Sequence, residues 1–234
     1  MKILHLYHDL MNLYGDYANL SALCRILEKN DIEVTLDKKS LGDLPNFDEY
    51  DFIYVGSGSE ENQKLALDHL RPHAEELKAY IEKGKLALFT GNSFEMLGEG
   101  INGFLGEFKG LGIFPFKTTE QNKTRDTADA IFEADFLKKP LVGFVNKCSE
   151  IEGNNSPLFT VKRGLADNTA VKTEGVLQKG FYGTHLTGPV LVKNPHFLKF
   201  LAERLAGKEL DDSAFFYEKT GYAITLQKLE ERND

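Results

Sequence analysis

The chain has 234 residues, 41% apolar and 27% charged, the balance of a globular protein with material for one full hydrophobic core. Its formal charge of −8, with no Lys/Arg cluster, excludes sequence-independent nucleic-acid binding, because attraction to phosphates needs clustered cations. No apolar run approaches bilayer length, and the first apolar stretch is too short for a signal peptide; with only Cys24 and Cys148 as thiols, a cytoplasmic protein without membrane insertion is expected.

Residues 2–7 read as a short apolar strand, followed by a polar loop over residues 9–16. Leu20, Leu23, Ile26 and Leu27 then carry the spacing of one helix face. Strands are predicted over residues 32–36 and 51–55, the second ending in Gly56-Ser-Gly58. A charged helix is expected over residues 60–83, with Leu65, Leu70, Leu77 and Ile81 on its inner side, and a further strand over residues 86–89. This alternation implies right-handed crossovers and a mostly parallel sheet of the α/β class, with ligands gathering beyond the carboxyl ends of the strands.

After Gly98 the pattern becomes β-rich. Short strands are expected over residues 113–117, 130–134, 142–145 and 159–163, with turns at Asn154-Asn155 and Asp167-Asn168. A helix over residues 195–205 has Asn194 as N-cap and Gly207 as stop. Residues 1–206 form one domain on this reading, and residues 207–234, with Phe215, Phe216 and Tyr217, form a docking segment or a terminal helix.

Two loops invite chemistry. Gly56, Ser57 and Gly58 follow a strand and open a helix, where free N–H groups favour a carboxylate; a plain strand-to-helix turn explains the same residues. Thr90-Gly-Asn-Ser93 reads as a sharp turn whose apex, Gly91, adopts positive φ without a side chain to present; the hydroxyls of Thr90 and Ser93 sit off the apex, and Asn92 follows it. His185 has no defined partner, and His69 with His73, at i and i+4, lacks a third metal ligand, so no metal or cofactor is expected. Arg125 with Glu152 and Glu174 offers charges suited to a zwitterionic amino acid or another small carboxylate; solvated charges on a β-rich surface explain the same residues.

The ordered segments Tyr7-His-Asp-Leu-Met-Asn-Leu-Tyr-Gly-Asp16, Gly56-Ser-Gly-Ser-Glu-Glu-Asn-Gln63, Gly110-Leu-Gly112, Gly143-Phe-Val-Asn146 and Gly183-Thr-His-Leu-Thr-Gly-Pro189 resemble class I glutamine amidotransferase domains of the cobyric acid synthase (CobB/CobQ) type. The likeness covers residues 3–205 and is greatest toward glutaminase subunits of lipid II isoglutaminyl synthases, which work beside a Mur-ligase-like partner in cell-wall chemistry. It implies a flavodoxin-like fold and a glutamine-holding role for Arg125. It also implies a nucleophilic Cys where Gly91 stands and an activating His where Thr187 stands. His185 lies two residues from Thr187, about 7 Å along an extended strand and on the same face. Neither Cys24 nor Cys148 lies where it would substitute. An active pair needs nucleophile and base together. The reading is therefore a non-catalytic subunit or regulator. A hydrolase rewired through Ser93 and His185, and a small-molecule binding module built on Gly56, Ser57, Gly58, Asn92, Ser93 and Arg125, are the alternatives.

Overall fold

Strand alternation sorts the apolar residues of the first strands onto the two faces of a single sheet. The computed structural model describes residues 1–42, 44–121 and 124–232. In chain order its first elements are β1 (Lys2–Leu6), α1 (Tyr17–Glu28), β2 (Thr35–Lys39), β3 (Phe52–Val55), α2 (Glu60–Leu70), α3 (Ala74–Glu82) and β4 (Leu86–Thr90). Six strands follow a 3-10 helix at Gly91–Leu97: β5 (Gly100–Gly103), β6 (Gly106–Lys109), β7 (Lys117–Glu120), β8 (Asp126–Glu133), β9 (Leu141–Lys147) and β10 (Ser149–Glu152). The chain closes with β11 (Pro157–Arg163), β12 (Thr173–Gln178), β13 (Phe181–Thr184), α4 (Val190–Lys193), α5 (Pro195–Ala206) and α6 (Phe216–Glu230).

Nine strands form the main sheet in the order β2-β1-β3-β4-β13-β12-β11-β8-β9. The pairs from β2 through β13 are parallel, and those from β13 to β9 are antiparallel. Connections leave β1 in both directions, which puts a topological switch point between β1 and β3. Ile3, Phe52, Tyr54 and Leu88 face one core under α1 and α5, while Leu4, Ile53, Val55 and Phe89 face the other under α2 and α3. The α/β class expected from the strand–helix rhythm, and the flavodoxin-like fold that the family resemblance implies, are the architecture observed. A second sheet, β10-β7-β5-β6, was not foreseen.

Several boundaries differ from expectation. The strand predicted over residues 32–36 begins at Thr35, because the Ile32 N–H still bonds the Leu27 carbonyl in the helix exit. The helix expected over residues 60–83 breaks at Arg71–His73, where Pro72 supplies no N–H. Its first part buries Gln63, Ala66, Leu67 and Leu70 at helical spacing, which turns Leu65 outward to 49% exposure. The strand predicted over residues 113–117 begins only at Lys117; at its expected start the N–H groups of Ile113 and Phe114 both bond the Leu97 carbonyl.

Asn194 stands before α5 but makes no cap; its amide instead bonds both the N–H and the carbonyl of Val142. Gly207 ends α5 in the left-handed conformation, as expected. The tail folds back as a terminal helix. Tyr222 and Leu229 of α6 pack on Ile131 and Val142, and the Tyr222 hydroxyl bonds the Pro140 carbonyl. Residues 233 and 234 of the expected tail lie outside the described residues.

Candidate functional site

Both glycine loops emerge at the carboxyl ends of adjacent strands and are tied to each other. Asn92 Oδ1 accepts from the Gly58 N–H and its Nδ2 donates to the Gly58 carbonyl, each at 3.0 Å. Asp16 Oδ2 accepts the Ser57 N–H at 3.0 Å. The N–H groups of Ser57 and Gly58, two of those expected to greet a carboxylate ligand, are thus consumed within the chain.

The close approach that makes residues 56 and 58 glycine is likewise internal. A Cβ on Gly56 would lie 2.7 Å from Asp16 Cβ, and one on Gly58 would meet the Met11 side chain. The chain's own loop between β1 and α1 fills the switch-point crevice, and the sequence, which names the loop but not its destination, did not reveal this.

Asp16 is the hub beneath the turn. Fully buried, it also receives the Tyr54 hydroxyl at 3.2 Å and the Thr90 hydroxyl at 3.3 Å. Burial raises its pKa despite these bonds. Tyr54 in turn accepts from Asn19 Nδ2 at 2.7 Å, and Asn19 Oδ1 accepts the Leu191 N–H at 2.8 Å. One polar chain therefore joins α1, β3, β4 and α4.

At the apex, Gly91 has φ +64. Ser93, fully buried, lies 2.8 Å from the Thr90 carbonyl and 3.2 Å from the Val55 carbonyl, so its hydroxyl is spent on backbone. His185 faces elsewhere: Nε2 is 2.9 Å from Glu95 Oε1, and Nδ1 is 3.3 Å from Glu174 Oε1. Ser93 and His185 therefore hold other partners and not each other, whereas a nucleophile and its base need a direct contact. Alternation does not carry from His185 to Thr187 either, because β13 ends at Thr184. Thr187 then binds the Phe144 carbonyl through both its N–H and its hydroxyl, each at 2.9 Å.

His185 belongs to a buried charged cluster. Burial alone would lower its pKa, but the ion-pair contact with Glu174 and the hydrogen bond to Glu95 outweigh burial and raise it. Burial pushes Glu95 upward, and the His185 bond with its charge overrides that and holds the carboxyl below the usual range. Glu95 also accepts from Ser149 Oγ at 2.5 Å and Gln63 Nε2 at 2.9 Å. Asp167, buried nearby beside Glu174, is raised to about 6.

Asp167, Glu174 and His185 hold potential ligand atoms within 4.8 Å of one another, yet the Gly175 N–H and Asn154 bind Asp167, and Thr184 with the His185 N–H binds Glu174. Glu95 was missed by sequence reasoning. Its signal is a lone carboxylate inside the apolar run Phe94-Glu-Met-Leu97, a position that demands a buried partner.

Arg125 is satisfied internally as well. It pairs with Glu60, and its Nε donates to Asn146 Oδ1 at 2.6 Å. Burial opposes its charge, but the Glu60 bond outweighs burial and raises its pKa. Its expected companions are elsewhere, with Glu174 in the His185 cluster and Glu152 exposed at the end of β10.

Cys148, set aside on sequence grounds, does line the small cavity at the turn, with Gln63, Asn92, Glu95, Arg125 and His185. Its sulfur is 3.5 Å from Glu60 Oε1, and burial followed by the Glu60 charge pushes the thiol up to about 12. Alkylation of Cys148 by iodoacetamide at neutral pH is expected to be at least tenfold slower than that of a free thiol, as timed by intact-mass spectrometry. The helical histidines are also occupied: His69 contacts the Tyr7 hydroxyl at 3.0 Å and the Gly42 carbonyl at 2.8 Å, and His73 contacts Glu76 at 3.2 Å.

The cavity between these groups measures about 10 Å³. That is room for at most one water.

The family model of the CobB/CobQ-like glutamine amidotransferase domain matches residues 2–195. The chain is 32% identical over 223 residues to the Staphylococcus aureus lipid II isoglutaminyl synthase (glutamine-hydrolyzing) subunit GatD, covering 92% of this chain and 91% of that one. The Streptococcus pneumoniae GatD subunit is 31% identical over 199 residues, covering 83% and 76%. Among solved structures, a glutamine amidotransferase superposes with TM-score 0.55 at 16% identity, covering 87% of this chain and 98% of that one. The Trypanosoma brucei CTPS glutaminase domain with bound acivicin gives 0.54 at 11%, covering 91% and 98%, a likeness of fold. With the family model spanning both glycine loops and β1 through α4, this chain belongs to the CobB/CobQ-like glutamine amidotransferase domain family.

Proposed function

We propose that this chain is a glutamine amidotransferase-fold subunit that does not hydrolyse glutamine and that serves a Mur-ligase-like, amide-forming partner acting on lipid II or a related cell-wall precursor in the cytoplasm. The observation that carries the reading is the turn after β4. Gly91 stands at its apex without a side chain, the family resemblance puts Thr187 at the position of the base, and the small cavity beside Asn92 and His185 is about 10 Å³. Covalent glutaminase chemistry needs an activated nucleophile beside an oriented base, and loss of either removes most of the rate. The subunit role is supported by the two GatD relatives, each named as a subunit of a synthase. Phe216, Tyr217 and Ile224 on the outer side of α6, 65%, 83% and 56% exposed, are the residues through which the tail would dock.

The purified chain is expected to release no ammonia from glutamine above buffer, alone or with a co-purified ligase. Sustained turnover would overturn the reading. Isothermal titration with glutamine and glutamate is expected to be flat, because Glu60 already holds the Arg125 guanidinium and the cavity admits no amino acid. A saturable heat with millimolar or tighter affinity would favour a small-molecule binding module instead.

A further inference from the structure

Ser57 carries a buried hydroxyl that contacts no hydrogen-bond partner among the described residues, although the residue is only 2% exposed. Such a group is unfavourable wherever it stands without compensation. Its position relative to Gly91 shows what the side chain fills.

A Cβ built on Gly91 would fall onto Ser57 Oγ, 2.6 Å from Ser57 Cβ and 3.2 Å from Ser57 Cα. Ser57 cannot back away, because its backbone is held on both sides. Its N–H is bound by Asp16 Oδ2 at 3.0 Å, its carbonyl accepts the Leu13 N–H at 3.1 Å, and the next residue is clamped by Asn92. Two side chains cannot share that volume.

We propose that Ser57 occupies the space of the missing apex side chain, so that positions 57 and 91 form a reciprocal pair in which a side chain at one requires glycine at the other. The inference rests on the reading of the turn as a vacated nucleophile site and adds the residue that seals it. A single substitution at Gly91 then cannot re-arm the turn; a side chain there needs Ser57→Gly as well.

The test is a double-mutant cycle by urea unfolding on the full chain, with Ser57→Gly, Gly91→Ala and the double variant. Gly91→Ala is expected to raise the unfolding equilibrium constant roughly 100-fold in the wild-type background and only about tenfold in Ser57→Gly, the residue of cost being the left-handed backbone. Equal factors in the two backgrounds would overturn the proposal.

Should Gly91→Ala alone fail to fold, Ser57→Gly/Gly91→Ala is compared with Ser57→Ala/Gly91→Ala, which keeps the colliding Cβ. The first is expected to fold and the second not, and equal thermal midpoints would refute the pairing. These readouts report packing, so turnover in the glutaminase assay would defeat the non-catalytic reading while leaving the cycle intact, and an additive cycle would leave that reading untouched.

Discussion

Replacing His185 with alanine is expected to cost roughly 3–5 kcal/mol of folding stability, the range for breaking a buried ion pair from one side. The substitution leaves Glu95 and Glu174, 3% and 0% exposed, facing each other across an emptied space without their shared cation. Urea unfolding of His185→Ala and His185→Gln checks it. Glutamine retains donor capacity toward one carboxylate, so His185→Gln should lose less, and equal stability of His185→Ala and wild type would sink the account.

The same cluster sets a pH dependence. The folded-state pKa of His185 is raised above 6.5, so the stability it contributes is fully present below pH 6.5 and is lost as pH rises through the folded value. Asp167 acts in the same sense, because a carboxyl raised from 3.8 to about 6 stabilises most below 3.8 and loses that contribution by about pH 6. Glu95 acts oppositely: its depressed pKa contributes above pH 4.5 and is lost as pH falls through the folded value. The urea midpoint should therefore decline from pH 6.5 upward, and that slope should flatten in His185→Gln. A decline of equal steepness in the variant would place its origin elsewhere.

Asp16→Ala is expected to cost roughly 2–4 kcal/mol, because it strands the Ser57 N–H in a dry interior and takes the shared acceptor from the Tyr54 and Thr90 hydroxyls, which still bond each other. Asp16→Asn should cost less, about 1 kcal/mol, since burial already favours the uncharged carboxyl and the amide oxygen still accepts. Thermal unfolding of the two variants distinguishes the loss of shape from the loss of charge. If Asn is as harmful as Ala, the carboxylate charge and not the hydrogen-bond geometry holds the hub.

The strands β1, β3 and β4, the helices α1 and α5, and the sharp bend at Gly91 were legible in the sequence because each follows from a short-range cause. Alternation, helical spacing and glycine's tolerance of positive φ act within a few residues. The break at Pro72 is equally local and was overlooked because the charged run on either side keeps a helical pattern.

What only the tertiary structure decided are contacts made across long separations. His185 meets Glu95 from 90 residues away, and Ser57 abuts Gly91 across two strands. The crevice where a ligand was expected is closed by the loop from Met11 to Asp16, whose polar composition reads equally well as a solvated turn. Local pattern specifies which way a side chain points; whether it meets solvent, a ligand or another part of the chain depends on packing that no window of neighbouring residues contains.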